Sequence, residues 1–130
     1  MFSHAVGMVE QRPKVLIIDD DSGSQQMVAE TFEQAGYVVI TAEDGDRGLQ
    51  LAIERHPDAI VTDLYLPLRT GAELIHLLRT AGSKVPVVMM SGAVEGKVTA
   101  FRCHADAFLE KPFDVFEAVR VVDGLLQRVH

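Results

Sequence analysis

One pattern repeats from Lys14 to the end of the chain. A short run of apolar, mostly β-branched residues is followed by a longer stretch whose apolar positions fall at helical spacing. The runs are 15–18, 37–41, 59–62, 85–90 and 107–109. Between them, Val28, Phe32 and Ala35 share a helical face, as do Leu49, Ala52 and Ile53, and then Gly71, Leu74, Ile75 and Leu78. After Pro112 the stripe Val115, Ala118, Val119, Val122, Leu125, Leu126 and Val129 predicts a fifth and final helix. Gly36, Pro57, Gly82 and Pro86 stand at or just past helix ends, where chain stops belong. Strands that are apolar without alternation are buried on both faces, and strand–helix repetition requires parallel strands with right-handed crossovers. The expected fold is therefore α/β: a doubly wound, five-stranded parallel sheet with five helices. Residues 1–13, without a period and closed by Pro13, are expected to form a flexible arm preceding a single domain over 14–130.

Composition narrows the function. Nineteen acidic against 12 basic residues give a net charge of -7, which opposes binding to nucleic acid or to an anionic membrane. A single cysteine, Cys103, excludes an intrachain disulfide and a thiolate zinc cluster; it is expected to act as a small buried apolar residue. The five histidines show no ligand spacing, and His76 and His104 are expected at the surface or boundary of helices. The apolar runs are far too short to span a bilayer, and the first 13 residues lack a signal-peptide core. A soluble, cytoplasmic protein is expected.

In this fold class, ligands bind beyond the carboxyl ends of the strands. There the sequence places Asp19, Asp20 and Asp21 after the first run, Asp63 after the third, Ser91 after the fourth and Lys111-Pro112 after the fifth. An acid at a strand end is commonly a turn residue or helix cap, and Asp21 and Ser22 are expected to be caps. Four carboxylates on one rim repel each other and call for a cation. A hard divalent ion with oxygen ligands, Mg²⁺ first, suits them.

The segments Val15-Leu-Ile-Ile-Asp19-Asp20-Asp21, Ile60-Val-Thr-Asp63-Leu-Tyr-Leu-Pro67 with Gly71 following, Val87-Val-Met-Met-Ser91-Gly92 and Ala105-Asp-Ala-Phe108-Leu-Glu-Lys111-Pro112-Phe113 occur in this order. Together they resemble a response regulator receiver domain of the two-component, phosphorelay kind, over the span from Lys14 onward. The resemblance implies the strand order 2-1-3-4-5 known from the CheY-like and flavodoxin-like folds. It implies that Asp63 is the phosphoacceptor, taking a phosphoryl group from a histidine kinase or a histidine phosphotransfer protein. It also implies that Asp20 binds Mg²⁺ directly, Asp19 through water, and Asp63 and the Tyr65 backbone carbonyl complete the protein's share. Lys111 and Ser91 would bind the phosphoryl oxygens, Ser91 and Phe108 would form the switch, and the Lys111-Pro112 peptide would be cis. The partner face would be the fourth helix, fifth strand and fifth helix, where Phe116 and Val121 flank the core stripe.

Such a module is a signalling protein rather than an enzyme, and with no output segment after the last helix it reads as a stand-alone receiver or an excised domain. Three alternatives stand beside it. A haloacid-dehalogenase-like phosphatase would use Asp19, but would leave Asp63 without a role and lacks an acidic motif after Lys111. A flavodoxin-type protein would need a phosphate loop where three carboxylates stand. A pseudo-receiver would bind partners without being phosphorylated.

Two further expectations concern departures from the family's pattern. In the family, the residue two after the phosphoacceptor borders the path of hydrolytic water. Here it is Tyr65, with neither carboxylate nor amide, so the phosphoryl group is expected to be long-lived. The 16 residues between Ser91 and Phe108 are fewer than the family usually spends, so the fourth helix must be short. Gly96 would weaken it, and His104 stands where a glycine commonly eases the turn. The segment 92–104 is expected to be the most irregular outside the arm, with a nonstandard partner geometry or a homodimer as the consequence.

Overall fold

The apolar runs 15–18 and 59–62, and the last four residues of 85–90, are buried completely, and the rest of the architecture follows from that. In the computed structural model, which describes residues 12–128, the strands are β1 (Lys14–Ile18), β2 (Val38–Ala42), β3 (Ala59–Asp63), β4 (Val87–Ser91) and β5 (Ala107–Glu110). All pair in parallel, in the order β2-β1-β3-β4-β5. Every residue of β3 and β4 is buried, whereas the edge strands β2 and β5 are partly open, as a sheet covered on both faces requires.

Five helices cover it: α1 (Ser22–Gln34), α2 (Gly45–Arg55), α3 (Gly71–Thr80), α4 (Gly96–Arg102) and α5 (Val115–Leu125). Successive strand residues point to opposite faces, and two cores result. On one, Leu16, Ile18, Ile60 and Met89 meet Leu51 and Ala52 of α2, Leu74, Ile75 and Leu78 of α3 and Ala100 of α4. On the other, Val15, Ile17, Val61, Val88 and Met90 meet Val28 and Phe32 of α1 and Ala118, Val119 and Val122 of α5. The fold is thus the doubly wound α/β sheet that the strand–helix repeat implies.

Local details depart from the sequence reading in instructive places. The fourth strand begins at Val87, not at 85, because Pro86 has no N–H to give and the Val87 N–H goes to the Asp106 carboxylate at 2.8 Å. Asp21 caps α1, accepting from Ser24 N at 2.8 Å, while Ser22 is the first helical residue and caps nothing. Ile53, despite its spacing, is 56 % exposed: α2 lies over the open edge of the sheet, and Leu51 and Ala52 already fill the contact. His104 lies in the turn after α4 rather than on a helix, at φ 64°, so a residue with a Cβ does take the left-handed turn. Cys103 is half-buried, and burial raises its thiol pKa. The arm expected at 1–13 lies outside the described residues except for Arg12 and Pro13, whose carbonyl accepts from Val38 N. Val129 also lies outside them. No helix among the described residues is long and apolar enough to cross a membrane.

Candidate functional site

The site is assembled from the carboxyl ends of four neighbouring strands. Asp19 follows β1 and donates its N–H to Ala42 O at 3.0 Å. Gln25 in the first turns of α1 reinforces that corner by donating to both Asp19 O and Ala42 O, each at 3.0 Å. Asp63 ends β3, Ser91 ends β4, and Lys111 follows β5 with its N–H on Ser91 O at 2.9 Å. Parallel pairing brings these ends level, and a cleft of about 190 Å³ opens between them. Asp19, Asp20, Asp63, Tyr65, Ser91 and Lys111 all line it.

The turn past Asp63 is held closely. Gly71 N donates to Leu64 O at 2.7 Å, and a Cβ on Gly71 would stand 2.4 Å from Asp63 O, so only glycine lets α3 start this near the strand end. Thr70 and Glu73 then close a reciprocal capping box at the start of α3.

Within the cleft, carboxylate oxygens of Asp19, Asp20 and Asp63 lie within 4.8 Å of one another. Asp19 and Asp63 are buried and Asp20 is exposed. One Asp19 oxygen accepts from Asp21 N at 3.0 Å; the other, Oδ2, is buried with no hydrogen-bond partner among the described residues. A buried acceptor left in this way is costly, and a cation bound by oxygen would satisfy it, so the donor set fits a hard divalent ion. The Asp21 carboxylate is committed to its cap.

Lys111 Nζ stands 2.6 Å from Asp63 Oδ1. Burial pushes the Asp63 carboxyl up to about 7, Asp19 adds to the rise, and Lys111 works against it. For Lys111, burial acts to lower the ammonium pKa, but Asp63, Asp19 and Asp20 outweigh it and the net direction is upward. The lysine therefore stays charged while the aspartate is poised between its two forms.

Ser91 is buried, and its Oγ accepts from Ala93 N at 3.0 Å. Its proton is left to give to a ligand oxygen. Phe108 lies outside the cleft, partly buried against the α2–α4 core. It is connected to Ser91 through Gly96: a Cβ there would meet Ser91 Oγ at 2.8 Å and Phe108 Cε1 at 3.2 Å. The Lys111-Pro112 peptide is cis.

Two contributors had no sequence signal. Gln25 is an ordinary helical polar residue until its reach to two carbonyls is seen. Glu95 accepts a hydrogen bond from the hydroxyl of Tyr65, a residue that lines the cleft; that bond raises the Tyr65 pKa and lowers that of Glu95. Separated by 30 residues, the pair leaves no periodic trace.

Comparison with known proteins agrees with this geometry. Residues 15–123 match the response regulator receiver domain family. The DNA-binding dual master transcriptional regulator RpaA of Synechocystis is 40 % identical over 120 residues, covering 89 % of this chain and 50 % of the relative. The transcriptional regulatory protein PrrA of Mycobacterium tuberculosis is 37 % identical over 118 residues, covering 89 % and 51 %. The chain thus spans about half the length of these curated relatives. Among solved structures, the Francisella response regulator 1452 receiver domain superposes with a TM-score of 0.84 at 32 % identity, covering 89 % of this chain and 98 % of that one. The chemotaxis response regulator CheY4 of Vibrio cholerae gives 0.82 at 30 %, covering 88 % and 99 %.

Proposed function

The chain belongs to the response regulator receiver domain family, and from that premise we propose that Asp63 accepts a phosphoryl group from a phosphohistidine of a histidine kinase or a histidine phosphotransfer protein. The observation that carries this is the pairing of a buried carboxylate with Lys111 at 2.6 Å inside a cluster of two further carboxylates. An Asp63 oxygen attacks phosphorus, the phosphorus–nitrogen bond breaks, and its electron pair returns to the imidazole. The product is an acyl phosphate on Asp63. Little covalent chemistry is asked of the protein beyond alignment and charge balance. The Lys111 ammonium and the Ser91 hydroxyl donate to phosphoryl oxygens. Asp19, Asp20, Asp63 and the Tyr65 backbone carbonyl would hold Mg²⁺, which when bound neutralises charge on those oxygens.

In this reading Ser91 moves toward the phosphoryl group and relieves its contact with the start of α4, which lets Phe108 turn further inward. The face of α4, β5 and α5 then changes for a protein partner or a second copy of the chain. Val94, Val98, Phe101 and Phe116 are exposed there, the apolar surface such a contact needs. RpaA and PrrA are named as transcriptional regulators; with a net charge of -7, this chain would influence such an output through protein contacts rather than by touching DNA.

Labelling with acetyl phosphate and Mg²⁺ tests the proposal. Wild type should gain one acid-stable, hydroxylamine-sensitive phosphoryl group. Asp63→Asn, nearly isosteric but a poor nucleophile, should gain none while keeping its circular dichroism. Asp20→Ala should bind Mg²⁺ more weakly, having lost a carboxylate ligand. Equal labelling of Asp63→Asn would move the acceptor elsewhere, and a wild type that takes no label would leave a protein-binding module.

A further inference from the structure

The two loops that frame the carboxylate cleft are joined above it. Tyr65 belongs to the loop between β3 and α3, and its hydroxyl donates to Glu95 Oε1 on the loop between β4 and α4. Tyr65 lines the cleft, and so does Ala93, two residues before Glu95. Tyr65 is 58 % exposed, too open for packing alone to hold its ring in one rotamer.

Besides the Tyr65 hydroxyl, the Glu95 carboxylate meets its own backbone N–H. Glu95 occupies the N-cap position of α4, yet its side chain makes no capping hydrogen bond. The next residue, Gly96, is seated against Ser91 and Phe108, so the strap is anchored on the turn that touches the switch pair. A free glutamate at an exposed position would sample many rotamers; holding one against a phenol on another loop gives the Tyr65 ring a fixed place at the cleft mouth.

We propose that Glu95 is a positioning residue that holds the Tyr65 ring across the mouth of the cleft and so slows the entry of water to phosphorylated Asp63. The proposal rests on the reading of Asp63 as phosphoacceptor. In the step it restrains, a water oxygen bonds to phosphorus, and the bond from phosphorus to the Asp63 oxygen breaks with its electron pair returning to the carboxylate. The water protons leave on the released dihydrogen phosphate.

Four proteins test it: wild type, Glu95→Ala, Glu95→Gln and Tyr65→Phe, each labelled with acetyl phosphate and then followed as the label is lost. Glu95→Ala and Tyr65→Phe should lose it about three- to tenfold faster, the population shift expected when one hydrogen bond of ordinary net strength is removed. Glu95→Gln should remain near wild type, because an amide oxygen still accepts from the phenol. A purely structural role for Glu95 would not give that rescue.

Tyrosine emission reads the strap in the unphosphorylated protein, since the chain has two tyrosines and no tryptophan. A carboxylate bound to a phenol quenches it. Glu95→Ala should therefore brighten the emission, and the same change should do nothing in a Tyr65→Phe background. Unchanged emission in Glu95→Ala would show that the strap does not form in solution, and changed emission with an unchanged rate of loss would show that it does not restrain water; either overturns the proposal. A wild type that takes no label overturns the phosphoacceptor reading and this proposal with it, whatever the emission shows.

Discussion

Asp63 bears the electrostatic cost of the site. Its carboxyl is raised from 3.8 to about 7, by burial first and by Asp19 next, so the folded protein holds that proton more tightly than the unfolded chain does. The resulting stabilisation is complete below the unfolded value and is lost as pH rises through about 7. In a metal chelator, wild type should lose stability across that window, whereas Asp63→Asn, which has no charge to form, should not. Above pH 7 the variant should be the more stable of the two, with the higher Tm. Identical pH profiles for the two proteins would show that the crowding of Asp19 and Asp63 is not felt. Lys111→Ala removes the ammonium 2.6 Å from Asp63 and should move the Asp63 titration to still higher pH. It should also slow labelling, because one cation facing the phosphoryl oxygens is gone. A carbon-13 titration of the Asp63 carboxyl that did not move in Lys111→Ala would show that Lys111 is only a surface charge.

At the scale of elements, α4 stands apart. Seven residues long, as the short spacing before Phe108 implies, it buries Gly96 and Ala100 and has no side-chain cap. By contrast, α5 has the Asp114 cap and buries Ala118, Val119, Val122 and Asp123. Amides of 97–102 should accordingly exchange with solvent well before those of 118–123; equal protection would defeat the expectation that 92–104 is the irregular part of the domain. Gly96 also needs a different account from the one its helix propensity suggests. It is the first residue of α4 rather than an interior one, and its missing side chain is what admits Ser91 and Phe108. Gly96→Ala should cost about 1–3 kcal/mol through overpacking, a loss readable as a lower urea midpoint. A midpoint equal to wild type would mean that the loop from β4 yields instead.

Across the whole molecule, the two ends of the α1–α5 layer are tied by one buried contact. The Tyr37 hydroxyl, ahead of β2, donates to Asp123 Oδ1 of α5 at 2.5 Å across 86 residues. Its ring meets Phe32 edge-on at 5.1 Å, and the Arg128 guanidinium lies 4.7 Å from the ring centre. Burial first, then Asp123, pushes the phenol up to about 12, so it stays protonated and able to donate throughout the neutral range. Tyr37→Phe keeps the ring and loses the bond, and it should cost about 1–2 kcal/mol in urea unfolding. A cost near zero would show that the Tyr37–Asp123 bond adds nothing to how α5 is held.

The sequence by itself determined the layer architecture, because a parallel sheet with two covered faces needs uninterrupted apolar strands, and the runs now in β1, β3 and β4 supply them. It also placed Asp19, Asp20, Asp63, Ser91 and Lys111 at strand ends, since chain order and strand direction put them all on one rim. Position in the chain already marked Asp21 as the cap, but tertiary structure alone decided that Asp19 retains a buried oxygen without a partner among the described residues. It decided that Ile53 faces water, that Gly96 is a contact rather than a weakness, and that Tyr65 finds Glu95 and Tyr37 finds Asp123. Periodicity records which side of a segment is apolar, a property of neighbours in the chain. Pairs separated by 30 or 86 residues depend instead on how each helix is seated over the sheet, and that is set by the packing of all of them together.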